Sequence, residues 1–192
     1  MRFIGAVFFL LFNCLAVLAQ SLQIEFQSLE SENGHRGISA INDLLCYVSG
    51  PEGGVYQLKV GEQPKWRGVR DCPQCDFRDI HAFSEQELLV ISAGQPARIY
   101  RSEDAGLHWE RVFEDLRPEA FYDGMDFWDS ARGIAFGDAI GDYLLLLSTE
   151  DRGRTWQAHD SILKVKTGQG GFAASGTSIR CGEDGFVAIG LG

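Results

Sequence analysis

Ser148-Thr-Glu-Asp-Arg-Gly-Arg-Thr-Trp156 restates a pattern already met at Ser102-Glu-Asp-Ala-Gly-Leu-His-Trp109. Counted from Ser102 and from Thr149, both stretches read Ser/Thr-x-Asp-x-Gly-x-x-Trp. Each position has a task in a tight turn between two strands. Asp104 and Asp151 fold their carboxylates back onto N–H groups of the turn, while Gly106 and Gly153 supply the positive φ that a Cβ resists. Ser102 and Thr149 brace those carboxylates with a hydroxyl. Trp109 and Trp156 open the outgoing strand and bury a large ring between neighbouring sheets.

The two Asp residues lie 47 positions apart, a period that suits one four-stranded sheet per repeat. The turn resembles the Asp-box, or BNR motif, at the outer hairpin of blades in sialidase-like β-propellers. That resemblance implies an all-β fold, a β-propeller of four-stranded antiparallel blades joined by Asp-box hairpins. It identifies a blade and leaves activity to be argued from a site.

A second repeat precedes each of these turns. His35-Arg-Gly-Ile-Ser-Ala-Ile41, Phe77-Arg-Asp-Ile-His-Ala-Phe83 and Phe121-Tyr-Asp-Gly-Met-Asp-Phe127 align as inner strands, which sets Arg36, Arg78 and Tyr122 in equivalent places, 42 and 44 residues apart. Second strands are predicted at Leu44–Val48, Leu88–Ala93 and Gly133–Phe136, and third strands at Gly54–Leu58, Arg98–Arg101 and Tyr143–Ser148. The apolar run Leu144–Leu147 reads as a central strand buried on both faces. Blade one has a degenerate turn at Lys59–Pro64, yet Trp66 falls where the other blades have their Trp.

Gly168–Gly171 lacks the strand-to-helix context of a phosphate loop and reads as a connector. Beyond it, Phe172–Ile179 and Phe186–Gly190 read as the inner and second strands of a fourth blade. The expected organisation is a signal peptide at 1–19, a leader at 20–34 and an incomplete propeller at 35–192. Its blades lie at about 35–70, 76–114, 120–160 and 172–192. About 3.5 blades leave exposed edges, so the sequence predicts an amino-terminal fragment of a longer propeller, or a ring closed by a partner chain.

Residues 1–19 carry Arg2, an apolar run from Phe3 to Leu18 and the ending Val17-Leu-Ala19, the pattern of a secretory signal cleaved before Gln20. The run is shorter than the roughly 20 residues of a membrane anchor. Leu11-Phe-Asn-Cys14 misses a lipoprotein box at Asn13. With 17 basic and 27 acidic residues the net charge is −10, and it becomes −11 once Arg2 leaves. So acidic a chain, with no basic stripe, argues against nucleic acid or anionic lipid as partner.

Cys46, Cys72, Cys75 and Cys181 remain after signal cleavage, and four cysteines allow three pairings in an oxidising compartment. Cys72-Pro-Gln-Cys75 precedes a strand, whereas a thioredoxin-like site opens a helix. It reads as a local disulfide or inert thiols, with pairing to Cys46 or Cys181 and redox chemistry as the alternatives. No metal-ligand spacing connects these cysteines to His35 or His81.

Phe77-Arg-Asp-Ile80, Phe121-Tyr-Asp-Gly-Met-Asp-Phe-Trp128, Gly133-Ile-Ala-Phe-Gly-Asp138 and Gly171-Phe-Ala-Ala-Ser-Gly-Thr177 together resemble exported bacterial propellers related to the photosystem II assembly and stability factor family. The likeness covers about residues 30–192. Bacterial members of that kind are often labelled oxidoreductase or glycosyl hydrolase, while photosynthetic members are assembly factors that hold a partner. A sialidase-like hydrolase implies a Phe/Tyr-Arg-Ile-Pro motif, further Arg residues, a Tyr–Glu pair and an Asp acid/base. Phe77-Arg78-Asp79-Ile80 lacks the Pro and lies in the second blade.

General glycoside hydrolysis needs two carboxylates about 5–10 Å apart. Asp123, Asp126, Asp129, Asp138 and Asp142 form the densest acidic region. Asp123 at an inner strand start and Asp138 at a strand-ending turn are its candidates, alongside Arg78, with backbone capping as the plainer role. His81 reads as a packed strand residue, with no Ser or Cys in a nucleophile context beside it. Arg36 and Arg78 either bind an anion or bridge blades through Asp79 or Asp76. No dinucleotide fingerprint or cofactor ligand set is present, so no cofactor and no metal are expected.

These observations predict an exported, periplasmic or extracellular, non-catalytic scaffold with no membrane span after cleavage. It would bind a protein or glycan at the channel mouth through Arg36, Arg78, Tyr122, Asp123 and Asp138. The alternative is a sialidase-like glycoside hydrolase whose site is completed by further chain.

Overall fold

The computed structural model describes residues 28–29, 34–171 and 176–192, so the expected signal peptide and most of the leader lie outside the described residues. Three four-stranded antiparallel sheets follow one another, each in simple up-and-down order. The first contains β1 (Ile38–Asn42), β2 (Leu45–Ser49), β3 (Val55–Lys59) and β4 (Lys65–Trp66). The second contains β5 (Phe77–Ala82), β6 (Leu88–Ser92), β7 (Ala97–Ser102) and β8 (Glu110–Asp115). The third contains β9 (Tyr122–Phe127), β10 (Gly133–Ile140), β11 (Tyr143–Thr149) and β12 (Gln157–Ala158). A fourth sheet pairs β13 (Ile179–Cys181) with β14 (Val187–Ile189). Among the described residues the first and fourth sheets share no ladder, and no closed ring is seen.

Alternation along the central strands explains how the sheets stack. Leu88 and Val90 of β6 face the first sheet with Tyr47, Val55 and Phe77, while Leu89 and Ile91 face the third with Tyr122, Leu145 and Leu147. In β11 the other face, Leu144 and Leu146, packs with Phe136 of β10 and with Ile179 of the fourth sheet. A period of two with both faces covered turns each strand into a continuous apolar run. Burying each such side chain contributes roughly 1.5–3 kcal/mol.

The two repeated turns have the same bonds. Ser102 Oγ donates to Asp104 Oδ1 at 3.0 Å, Gly106 N–H donates to Ser102 Oγ at 2.9 Å, and His108 N–H donates to Asp104 Oδ1 at 2.8 Å. At the second turn Thr149 Oγ1, Gly153 N–H and Thr155 N–H make the matching bonds at 2.8, 2.9 and 2.9 Å. Two consecutive left-handed residues complete each turn, Ala105 with Gly106 and Arg152 with Gly153. Partial burial works against ionisation of Asp104 and Asp151, but these hydrogen bonds outweigh it and hold both carboxyls below the usual range.

Trp109 and Trp156 pack on the cores shared with the preceding sheet, and Trp109 Nε1 donates to Arg67 O at 2.7 Å. Trp66 differs from expectation. It is 41 % exposed, because the Trp of each blade reaches back to the blade before it and none precedes Trp66 among the described residues.

Strand register corrects three further expectations. Leu88 opposite Ser102 and Gly133 opposite Thr149 set the two blades in register, so Ser92 corresponds to Gly137. Phe77 pairs with Ser92 and Tyr122 with Gly137, which makes Arg78 the counterpart of Asp123, not of Tyr122. Both are the extra residue of a bulge, and Phe77 and Tyr122 fill the same buried aromatic position. Asp138 does not end a strand: it is skipped between the pairs Gly137–Leu145 and Ala139–Leu144, and β10 continues to Ile140 before turning at Gly141. In the fourth sheet, 172–175 lie outside the described residues and Gly176–Ser178 form a 3-10 turn, so the inner strand starts only at Ile179. Gly, Thr and Ser favour such local turns over extended pairing.

Candidate functional site

The inner strands β1, β5 and β9 run in one direction, so their first residues gather at one end of the stack. Asp76 lies between two of the predicted arginines, 3.4 Å from Arg36 Nε and 3.2 Å from Arg78 Nη2. The bridge through Asp76 thus joins blades one and two. Arg78 also stacks its guanidinium 5.2 Å from the centre of the Phe121 ring.

Tyr122 takes a structural position. Its ring is buried against Phe113, and its O–H donates to Asp115 Oδ2 at 3.3 Å. Burial, then the Asp115 charge, pushes the phenol above its ordinary range. Asp115 is in turn held by Arg117, whose Nη2 lies 2.6 Å from Oδ2.

Asp123 and Asp138 are brought together at the start of blade three, beside the connector Gly170-Gly171. Gly171 N–H donates to Asp138 Oδ1 at 3.0 Å. Asp123 is 1 % exposed, and neither of its oxygens accepts a hydrogen bond from a described residue. Burial, then the Asp138 charge, pushes the Asp123 carboxyl up to about 7, with Arg78 opposing.

On the axis of the stack is a cavity of about 280 Å³ whose ionisable lining is Arg36, Asp79, His81, Asp126 and Arg180. Ile38, Ile80 and Met125 supply its apolar wall. Asp79 accepts the N–H of Ile80 at 2.8 Å and of Met125 at 3.0 Å. Burial outweighs those bonds and pushes its carboxyl up to about 7. Asp126 accepts the N–H of Cys181 at 2.7 Å and lies 3.7 Å from Arg180.

His81 packs between Phe83 and Phe127, 4.6 and 4.4 Å between ring centres, and burial lowers its pKa to about 4, so it is neutral at pH 7. Arg180 and the axial role of Asp79 and Asp126 escaped sequence reasoning. Asp79, an acidic residue set between Phe77 and Ile80 on an inner strand, was the available signal.

A larger cavity, about 400 Å³, lies on the open face of blade one between Ile38, Leu44, Cys46, Leu58 and Val60. It is the surface that other blades bury against a neighbour, and its walls are mostly apolar, with Asn42 and Asp43 among them. Cys72 and Cys75 form a disulfide within the loop joining β4 to β5. Among the described residues, no cluster of three or more His, Cys, Asp or Glu side chains is arranged to hold a metal, and no helix is long and apolar enough to cross a membrane.

Two solved structures share this architecture. One is YCF48 bound to a D1 peptide, with a TM-score of 0.56 and 17% identity over 89% of this chain and 59% of that one. The other is YCF48 from Cyanidioschyzon merolae, with a TM-score of 0.56 and 16% identity over 83% of this chain and 51% of that one. The fold is a partial β-propeller. The chain therefore spans between about half and three fifths of the length of these structures. No protein-family model matches the sequence, and no curated protein matches it significantly.

Proposed function

We propose that this propeller is an exported, non-catalytic scaffold that binds a protein segment at the end of the stack where the inner strands begin. The axial cavity carries the reading. It offers Arg36 and Arg180 beside Asp79 and Asp126, with Ile38, Ile80 and Met125 between them. A polypeptide carries charges of both signs, apolar side chains and backbone polar groups, and matches that mixed lining. A sialidase-like substrate carboxylate calls for converging arginines, whereas Arg36 and Arg78 converge on Asp76. That one YCF48 structure holds a D1 peptide supports protein over glycan as the ligand class. The amino-terminal apolar run and the Cys72–Cys75 bridge support export to a periplasmic or extracellular compartment.

A photo-crosslinking residue at Thr177, which lines the cavity, is expected to capture a discrete polypeptide in cells. The same probe at Leu107, on the Ser102–Trp109 turn and outside the cavity lining, is expected to capture none. Equal labelling from both sites would sink the proposal. So would hydrolysis of fluorogenic glycosides that Asp138→Asn abolishes, since this favours the hydrolase alternative.

A further inference from the structure

Asp123 presents an unusual accounting of donors. Its carboxyl is buried, yet no described residue donates to either oxygen. The charged groups facing it are Asp138 from β10 and Arg78 from β5, and Arg78 is already engaged by Asp76. The nearby backbone donor, Gly171 N–H, goes to Asp138. A Cβ at Gly170 would collide with Asp138 Oδ1, and one at Gly171 with Asp123 Oδ2, so the two carboxyls close over this bare stretch of backbone. A buried carboxyl with no N–H donor, set against the half-buried carboxyl of Asp138, resists ionisation. Asp123 gains a partner if it keeps its proton and donates that O–H to Asp138.

We propose that Asp123 keeps a proton and donates it in a hydrogen bond to Asp138, and that this bond latches the connector Gln169–Gly171 onto the start of blade three. The connector is tied on both sides. Ala139 N–H donates to Gln169 O at 3.1 Å, Gly192 N–H donates to Gly170 O at 3.0 Å, and Gly171 bridges to Leu191. A loosened latch therefore weakens the hold of Asp138 on Gly171. Because the folded-state affinity for the proton is raised, the latch is closed at low pH and opens as pH rises through about 7.

The test is a carboxyl-carbon NMR titration of the full chain from pH 4 to 9, with amide hydrogen exchange at Gly171 corrected for intrinsic rates. Asp123 is expected to titrate within about one unit of 7 in the unsubstituted protein. In Asp138→Asn its midpoint is expected to fall by at least one unit, about tenfold in proton affinity, because the amide donates N–H and carries no charge. Gly171 protection is expected to fall at least about threefold between pH 6 and 8, and to lose that dependence in Asp123→Asn. Asp79→Asn, which removes the other carboxyl titrating in this range, leaves the Gly171 response in place. An Asp123 midpoint below about 5, or Gly171 protection that ignores pH in the unsubstituted protein, overturns the proposal. Both readouts come from the unsubstituted chain, so a variant that fails to fold does not rescue it.

Discussion

Asp79 reaches out of blade two and accepts the backbone N–H of Met125, in blade three, at 3.0 Å. Met125 sits on an inner strand whose axis-facing edge has no ladder partner, and an unpaired buried amide is costly. The same device recurs on either side. Ser39 Oγ accepts the N–H of Ala82 at 3.0 Å, and Asp126 accepts that of Cys181 at 2.7 Å. Polar side chains thus stitch one inner edge to the next around the axis.

Replacing Asp79 by Ala strands the amides of Ile80 and Met125 and is expected to destabilise the fold by about 1–3 kcal/mol at pH 5 in urea denaturation. The loss shrinks towards pH 8. Burial raises the folded-state pKa of Asp79 to about 7, so its stabilisation is complete below the unfolded value and fades as pH climbs through 7. A cost that grows with pH would contradict this assignment.

The two tryptophans Trp109 and Trp66 occupy like positions with unlike surroundings. Trp109→Ala removes packing on the core between blades one and two along with the bond to Arg67 O, and is expected to cost about 2–4 kcal/mol. Trp66→Ala is expected to stay within about 1 kcal/mol, since the ring is 41 % exposed. Denaturation midpoints of the two variants check the difference.

Alanine at Gly153 meets both a left-handed backbone, φ 73°, and the side chain of Leu89. We expect a loss of about 2–4 kcal/mol, combining the conformational strain with displaced core packing. Gly61→Ala, at φ 76° with open space around it, is expected to lose only about 1–2 kcal/mol. Thermal unfolding of the pair separates strain from crowding.

Reducing the Cys72–Cys75 bridge is expected to lower stability by about 2 kcal/mol, the value for a short closed loop. Both cysteines are buried in the core between blades one and two, so the shift in unfolding midpoint on adding dithiothreitol should match that of Cys75→Ser to within about 1 kcal/mol. Alkylation of cells before and after reduction then reports whether the bridge forms in the compartment the chain reaches.

Much of the blade plan was legible because it is written in short-range chemistry. Asp104, Gly106 and Trp109 state a turn, and Leu144–Leu147 state a strand covered on both faces. Inner strands were harder. Aligning Arg78 with Tyr122 follows the letters, but pairing with the second strands moves the register by one residue and makes Asp123 its counterpart, at the same bulge in each blade. The candidate site divided along the same line: Arg36 and Arg78 meet at Asp76 as one of two readings anticipated, while Tyr122 turned inward to Asp115.

From the sequence alone came the repeat length, the hairpin bonds and the alternation of buried faces, since turn residues and period-two patterns act over a handful of neighbours. Tertiary structure alone decided which buried carboxyl meets which donor. Asp79 and Met125 are 46 residues apart, and Gly171 lies 33 from Asp138. Those meetings depend on register, bulges and the spacing between stacked sheets, which no local pattern of residues encodes.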